Sequence, residues 1–352
     1  MAASFARMGN KNITWETTTN LNIGTEFSFF NRRLSGTIDF YSKKTTDLLF
    51  WLSIPESAGS RGYYGNVGDI RNNGIEVTLT GSIIRTKDLD WSVTANIAHN
   101  STKILKLPES KIADNGGFNE TSKLETTQYW YRVGGPLYNG YMPKYAGVNE
   151  KGEATYWVDE DAGGGKHGTK YSYTTTNPNS ASKYETGSLL PKAFGGFSTT
   201  VVYKGFDFTA SFDYQIGGKV YDSRYASLMS PCDNSSAAGS AIHKDYLKSW
   251  SPNNTSSNIP RWQYGDNYTT AQSDRFLTNA SYFNFQSFTV GYSIPTQHIP
   301  FFSKIRVYCS GENLGFISAR KGLDPRYSYD GGTTLNAYSP VRNISGGIQL
   351  TF

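Results

Sequence analysis

Apolar and polar residues alternate with a period of two through most of the chain, and helical spacing is nearly absent. Residues 20–30 place Leu21, Ile23, Phe27 and Phe29 on one face and Asn22, Gly24, Glu26 and Ser28 on the other. After a break at Asn31-Arg32-Arg33, Leu34, Gly36, Ile38 and Phe40 alternate with Ser35, Thr37, Asp39 and Tyr41. A second pair sets Ile75, Val77, Leu79 and Ile83 beside Trp91, Val93, Ala95 and Ile97, across a turn at Arg85–Asp90. The third pair, 194–203 and 206–217, turns at Lys204-Gly205. Its second strand alternates Phe206, Phe208, Ala210, Phe212, Tyr214 and Ile216 with Asp207, Thr209, Ser211, Asp213 and Gln215. The fourth pair is 282–294 and 304–316, joined through Pro295 and Pro300. Its phase slips at Gln286-Ser287, which predicts a β-bulge. A last strand, 342–352, keeps Ile344, Ile348, Leu350 and the terminal Phe352 in phase.

Nine antiparallel strands are thus expected, with long polar segments at 46–67, 104–191, 220–274 and 317–339. The connections within pairs are short, so the long segments all fall at one end of the strands. A soluble sandwich spreads its loops over both ends. A transmembrane barrel has short turns on one side and long loops on the other. Strands of about 10–16 residues suffice to cross a bilayer when tilted. Segment 104–191 either forms an outer loop with a small hairpin (Tyr129–Tyr141 and Lys144–Val158) or hides two further wall strands. The loop is the preferred reading.

The two faces differ in kind. One carries Phe, Leu, Ile and Val with almost no charge; the other is Ser, Thr, Asn, Gln, Asp and Glu. Two sheets of a sandwich would bury the apolar faces against each other. A barrel in lipid turns that face outward and lines its lumen with the polar one. Aromatics at strand ends, including Phe29-Phe30, Phe50-Trp51, Tyr63-Tyr64, Trp91 and Tyr203, suit the two membrane interfaces.

Composition agrees. Aromatics make up 15% of the 352 residues, glycine numbers 36, and charged residues only 18%. No apolar run approaches the ~18 residues of a membrane helix. Two cysteines, Cys232 and Cys309, exclude a disulfide scaffold and read as free thiols. The opening MAASFARMGNKN has no apolar core and is not a secretory leader. The net charge of +5 is scattered, so no nucleic-acid patch is expected.

Candidate chemistry is sparse. DEDAGGGKHG (159–168) lacks the Ser or Thr that a phosphate loop needs after Lys166, because His167 stands there. As a calcium loop it has Asp159 and Asp161, but Gly163 and Lys170 occupy later ligand positions. His99, His167, His243 and His298 have no metal-ligand spacing. No metal and no cofactor is expected. Asp207 and Asp213 offer a superficial glycosidase pair, but they read better as lumen lining. No nucleophile elbow is present, so the chain does not read as an enzyme. The loop aromatics Tyr63, Tyr64, Trp130, Trp157, Trp250 and Trp262 are candidate contacts for a ligand or a lid, with girdle or loop packing as the plainer role. A soluble β-rich carbohydrate-binding or adhesin module is the rival reading.

Several strings carry a more specific signal. NITWETTTNLNIGTEFSFFNRRLSGTIDFYSKKTTDLL (12–49), NVGDIRNNGIEVTL (66–79), LLPKAFGGFSTTVVYKGFDFTASFDYQIGGKVYD (189–222), ASYFNFQSFTVGYSIP (280–295), VYCSGENLGF (307–316) and KGLDPR (321–326) resemble, in order, stretches of SusC/RagA-type TonB-dependent outer-membrane transporters. The resemblance covers nearly the whole chain from about residue 12. It implies an all-β, antiparallel transmembrane β-barrel of 22 strands, of which this chain supplies about nine from the C-terminal part; the plug domain is absent. Segment 1–19 would lead in on the extracellular side and 20–352 would form the barrel portion. It further implies uptake of oligosaccharides or peptides, with a SusD-like surface lipoprotein as lid and TonB as the drive through the missing N-terminal part. Phe352 matches the terminal aromatic read by the barrel-assembly machinery. Strand parity agrees with long loops outside and short turns inside. Nine strands cannot close such a cylinder, so a fragment of a longer transporter is expected. Asn284 departs from the family pattern, which often has Arg in that strand.

Overall fold

The structure is a computed structural model. It describes all residues except 1–7, 56, 58, 110–111, 113–115, 122–126, 232–240, 267, 298–300 and 328–339. Its first four strands are β1 (Thr17–Phe29), β2 (Leu34–Ser53), β3 (Gly62–Arg85) and β4 (Leu89–Lys106). Seven short strands follow: β5 (Gly117–Thr121), β6 (Gln128–Arg132), β7 (Asn139–Pro143), β8 (Tyr145–Val148), β9 (Ala154–Val158), β10 (Tyr173–Thr175) and β11 (Lys183–Ser188). Then come β12 (Ala193–Tyr203), β13 (Phe206–Ile216), β14 (Lys219–Tyr221), helix α1 (Ser223–Leu228) and β15 (Leu277–Asn279). The last strands are β16 (Tyr282–Ile294), β17 (Lys304–Ser318) and β18 (Asn343–Thr351).

Nine of these form one antiparallel sheet, ordered β1-β2-β3-β4-β12-β13-β16-β17-β18. This is the expected set, in chain order and without crossovers. The turn at Lys204-Gly205 has positive φ at both positions (44° and 90°), the conformation that joins two twisted strands most tightly. Gln286 is the extra residue of the expected bulge: the register passes from Phe212↔Phe285 to Ser211↔Ser287. Among the described residues β18 and β1 each pair on one side only, which leaves the sheet open.

One expected loop contracts. Strands β2 and β3 run through most of 46–67 and leave only 54–61 between them. Their outer ends escape a search for alternation because Asp47 sits at φ 58° and the register shifts on either side of Leu48. A bulge there interrupts the period that marks a strand. The described parts of the other long segments pair with no wall strand; these segments connect β4 to β12, β13 to β16 and β17 to β18. Within 104–191 the expected single hairpin is two: β6 with β7, in the sheet β11-β7-β6-β5, and β8 with β9, in the sheet β10-β9-β8.

Burial is distributed the wrong way round for a soluble sheet. On the wall, Ile23 is 61% exposed, Phe206 55% and Ile348 67%. Register places these residues in continuous apolar rows, Ile23–Phe40–Ile75 and Tyr203–Phe206–Tyr292–Val307–Ile348. The buried hydrophobic cores lie chiefly in the excursions. Met142 packs with Tyr221, Ala226, Met229, Tyr246 and Phe276, which joins the two long excursions into one cap. The Asp274 carboxylate accepts from the Tyr145 backbone N–H at 2.7 Å, and Arg261 donates to the Lys151 carbonyl at 2.7 Å, across the same seam.

The wall also explains why glycine and aromatics are abundant together. In four cross-strand pairs an aromatic ring lies over a glycine: Phe27/Gly36, Tyr41/Gly74, Phe288/Gly311 and Tyr308/Gly347; Tyr214 is the cross-strand partner of Gly195. The Tyr214 hydroxyl reaches past Gly195 and donates to the Asn96 carbonyl at 3.1 Å. A Cβ on Gly195 would stand 2.1 Å from that carbonyl oxygen. Gly195→Ala is therefore expected to cost about 1–3 kcal/mol, as overpacking does. Urea titration of the folded, heat-modifiable band would measure it, and an unchanged midpoint would contradict this packing.

Candidate functional site

The polar face of the wall is built by register. Ser35, Thr80, Thr94, Ser198, Ser211 and Ser287 form one row across six strands. Ser82, Ser92, Thr200, Thr209, Thr289, Ser310 and Ser345 form the row below. Within these rows two cross-strand hydroxyl pairs are close enough to bond, Thr80–Thr94 at 3.0 Å and Thr200–Thr209 at 3.3 Å. The face is thus wettable and largely neutral. Two of its charges meet across strands. Arg306 on β17 reaches over Gly291 to Asp207 on β13, with Nε donating to Oδ1 at 2.8 Å. A side chain at 291 would occupy the space that the guanidinium uses.

Higher on the wall, Asn284 is 4% exposed and bridges two charges. Its amide donates to Asp213 at 2.6 Å, and its Oδ1 accepts from Arg326 at 3.0 Å. Arg326 also donates to Asn313 at 3.2 Å and is held by both oxygens of Asp324, at 2.8 and 2.7 Å. The segment KGLDPR thereby folds inward onto the bulge of β16 and β17. A guanidinium stands beside the departing position 284 after all, supplied by this loop. Asp207 and Asp213 are six residues apart on one strand, about 20 Å in extended chain. A glycosidase pair needs roughly 5–9.5 Å, so the lumen-lining reading stands and the hydrolytic one has no geometry.

The six candidate aromatics do not gather into one platform. Tyr63 is half-buried on β3, and exposed Tyr64 beside it lies edge-on to Trp51 at 5.1 Å. Trp130 is buried, stacked on His167 at 4.5 Å and packed on Tyr141 at 4.8 Å. Its ring is used internally, which corrects its place among surface contacts. Burial lowers the pKa of His167 against the pull of Glu185, so the stack holds a neutral imidazole at pH 7. Trp157 is half-buried against Tyr171 at 5.6 Å, and Trp250 covers Gly152. Trp262 is exposed and meets Tyr246 edge-on at 4.7 Å. Phe352 lies against Phe301 and Phe302, with ring centroids 5.4 and 5.3 Å away.

The loop 159–168 uses its own carboxylates. Asp159 accepts from the backbone N–H groups of Thr169 at 2.8 Å, Lys170 at 3.0 Å and Asp161 at 3.1 Å. Asp161 pairs with the Lys170 ammonium at 2.7 Å. Among the described residues no three His, Cys, Asp or Glu side chains converge on a metal position. Cys309 is a free thiol on β17, while Cys232 and His298 lie outside the described residues. The backbone donors at Thr169 and Lys170 hold the Asp159 carboxyl at about 2, below its ordinary 3.8. A carboxylate lowered on folding stabilises above its ordinary value and loses that contribution as pH falls through the lowered one. Amide protection at Thr169 and Lys170 is expected to hold above about pH 4 and to decay towards pH 2. In Asp159→Asn it is expected to be weak at every pH; hydrogen exchange at those two amides reads both outcomes.

Sequence reasoning missed the seam between wall and cap. A cavity of about 610 Å³ lies there, lined by Lys144, Lys192, Lys219, Asp274, Glu185 and the glycines 187, 217 and 218. The strings LLPKAF and QIGGKVYD hold four of these positions, Lys192, Gly217, Gly218 and Lys219, but their convergence depends on the cap. Nearby, Arg320 binds Asp222, Nε to Oδ2 at 2.8 Å, and Asp222 caps α1 by accepting from the Tyr225 N–H at 2.9 Å.

Known proteins resemble this arrangement closely. A family model described as TonB dependent receptor-like, beta-barrel matches residues 1–221. SusC of Bacteroides thetaiotaomicron, a TonB-dependent receptor, is 30% identical over 356 residues, covering 97% of this chain and 32% of that protein. TonB-dependent receptor P3 of Formosa agariphila is 28% identical over 366 residues, covering 97% of this chain and 35% of its own length. These relatives are receptors, not enzymes. The solved RagAB peptide transporter superposes with a TM-score of 0.78 at 26% identity, over 98% of this chain and 36% of that one. The RagAB peptide importer in its open-open state gives 0.80 at 25% identity, over 99% and 36%. The chain spans about a third of the length of the curated relatives it matches. With the model matched over more than half its length and an open, apolar-out wall of nine antiparallel strands, the chain belongs to the TonB-dependent receptor-like β-barrel family.

Proposed function

We propose that this chain forms wall strands and outer loops of an outer-membrane importer for oligosaccharides or peptides, driven through TonB and lidded by a SusD-like surface lipoprotein. The observation that carries it is the reversed burial of the wall, apolar residues outward and hydroxyl rows on the other face. A lipid-embedded barrel needs that polarity, and a soluble carbohydrate-binding or adhesin module would have to cover the apolar face. The short turns then face the periplasm, and the cap built from 107–192 and 217–281 faces outward. Trp262 and Tyr64 are the candidate aromatics most available to a ligand or lid. Phe352, with Phe301 and Phe302, would present the terminus to the barrel-assembly machinery. The similarity to SusC and to a peptide importer supports both cargo classes without choosing between them.

Deleting the gene in its own bacterium tests the reading. Growth on one glycan or peptide mixture should fail, and the protein should fractionate with outer membranes and run as a heat-modifiable band. A surface lipoprotein should co-purify in detergent. Normal growth on every such source, or a detergent-independent soluble protein, would sink it.

A further inference from the structure

The cavity at the seam of wall and cap is unusual in its charge. Three lysines line it, from three different elements: Lys144 just before β8, Lys192 just before β12 and Lys219 at the start of β14. Two carboxylates share the lining, and both are engaged. Glu185 is bound by Arg132, whose Nε lies 3.1 Å from Oε1, and by the Asn139 amide. Asp274 accepts from the Tyr145 N–H and stands 3.9 Å from the Lys144 ammonium. Burial raises the pKa of Asp274, against the pull of the Lys144 and Lys219 ammoniums. Lys219 spends one donor on the Thr186 carbonyl, a neutral group. Neither Lys219 nor Lys192 forms an ion pair among the described residues. Four other cations of the excursions do have carboxylate partners: Arg132 with Glu185, Lys170 with Asp161, Arg261 with Glu153 and Arg320 with Asp222.

The remaining lining is neutral and able to hydrogen-bond, through Ser188, Thr278 and Asn279. Gly187, Gly217 and Gly218 all have positive φ and bring bare backbone to the wall of the cavity. The volume falls inside the usual range of small-ligand sites, ~300–1,000 Å³. Unpaired ammonium groups facing a shared concavity raise the local concentration of anions.

We propose that this cavity is a subsite for a carboxylate-bearing segment of the cargo, held by Lys144, Lys192 and Lys219. It rests on the importer reading and narrows it, because it selects acidic oligosaccharides or acidic peptides over neutral ones. Carboxylates occur in both classes, and lysine ammoniums act as point charges that do not distinguish them.

The test is calorimetric, on the receptor purified in detergent, with three probes: tetragalacturonate, tetra-aspartate and maltotetraose. At low salt at least one acidic probe should bind tenfold or more tightly than maltotetraose, and that advantage should shrink at high salt. The better of the two acidic probes identifies the source of the carboxylate. The double variant Lys192→Gln, Lys219→Gln should weaken acidic binding at least tenfold and leave maltotetraose unchanged. Lys151→Gln, in the cap but away from the cavity, should change neither. A heat-modifiable band like that of the parent shows that each variant is folded. Should the double variant fail to fold, Lys192→Gln alone, at an exposed position, carries the same expectation of weaker acidic binding. Equal affinity for all three probes, unchanged affinity in the lysine variants, or an equal loss in Lys151→Gln would overturn the subsite. Binding to purified receptor needs no TonB, so those results leave the importer reading to the growth experiment.

Discussion

Leu79→Arg is expected to remove the wall from the membrane, while Thr78→Arg, one residue away, leaves it in place. Leu79 is 39% exposed and lies in the row Gly36–Leu79–Ala95–Phe197–Phe212, near mid-height of β12 and β13. Thr78 points to the opposite face, in the row with Thr37 and Asn96. An arginine on the lipid side near the bilayer midplane costs about 2–4 kcal/mol, and lumen-facing charges cost far less. Urea titration of the full receptor in lipid vesicles, read by heat-modifiable mobility, separates the two. Equal midpoints for the two variants would mean that the faces are assigned wrongly.

Arg326→Ala is expected to release the KGLDPR segment from the wall and loosen the β16–β17 bulge. The guanidinium serves Asp324, Asn284 and Asn313 at once and covers the Phe316 ring at 4.5 Å. Removing it leaves three part-buried polar partners without their donor. Such losses cost about 2–3 kcal/mol where the pair is mostly shielded from water. Hydrogen exchange should show faster opening at Phe285–Ser287 and Glu312–Gly315, with β1–β4 unchanged. Arg326→Lys should recover little, since one ammonium cannot hold both Asp324 oxygens and two amides together. Unaltered exchange at the bulge would refute the role.

The strand reading of the wall is close to the structure because its signals are local. Alternation at 206–217 became β13, Phe206–Ile216, and the phase slip at Gln286 became the bulge. Reading failed where the local signal was interrupted. Asp47 and the shifted register around Leu48 concealed the outer ends of β2 and β3 inside an expected loop. It failed again where a residue type has two uses. Trp130 and Trp262 look alike in sequence, but one is stacked inside the cap and the other is exposed. The number of glycines was visible at once; their role under aromatic rings needed the pairing of strands.

The sequence by itself determined the strands of the wall, their order and the polarity of their faces. Side chains alternate every residue along a strand, and the short connections 30–33, 86–88, 204–205 and 295–303 leave the strands of each pair little choice of partner. The tertiary structure alone decided what meets across long separations. Met142 packs with Phe276, Arg326 reaches Asn284, and Lys144, Lys192 and Lys219 share one cavity. Those contacts are set by how two long excursions close over each other, and no periodicity along the chain encodes that closure. The lipid-facing wall was therefore legible from residues alone, while the charged cavity appeared only once the cap was folded onto it.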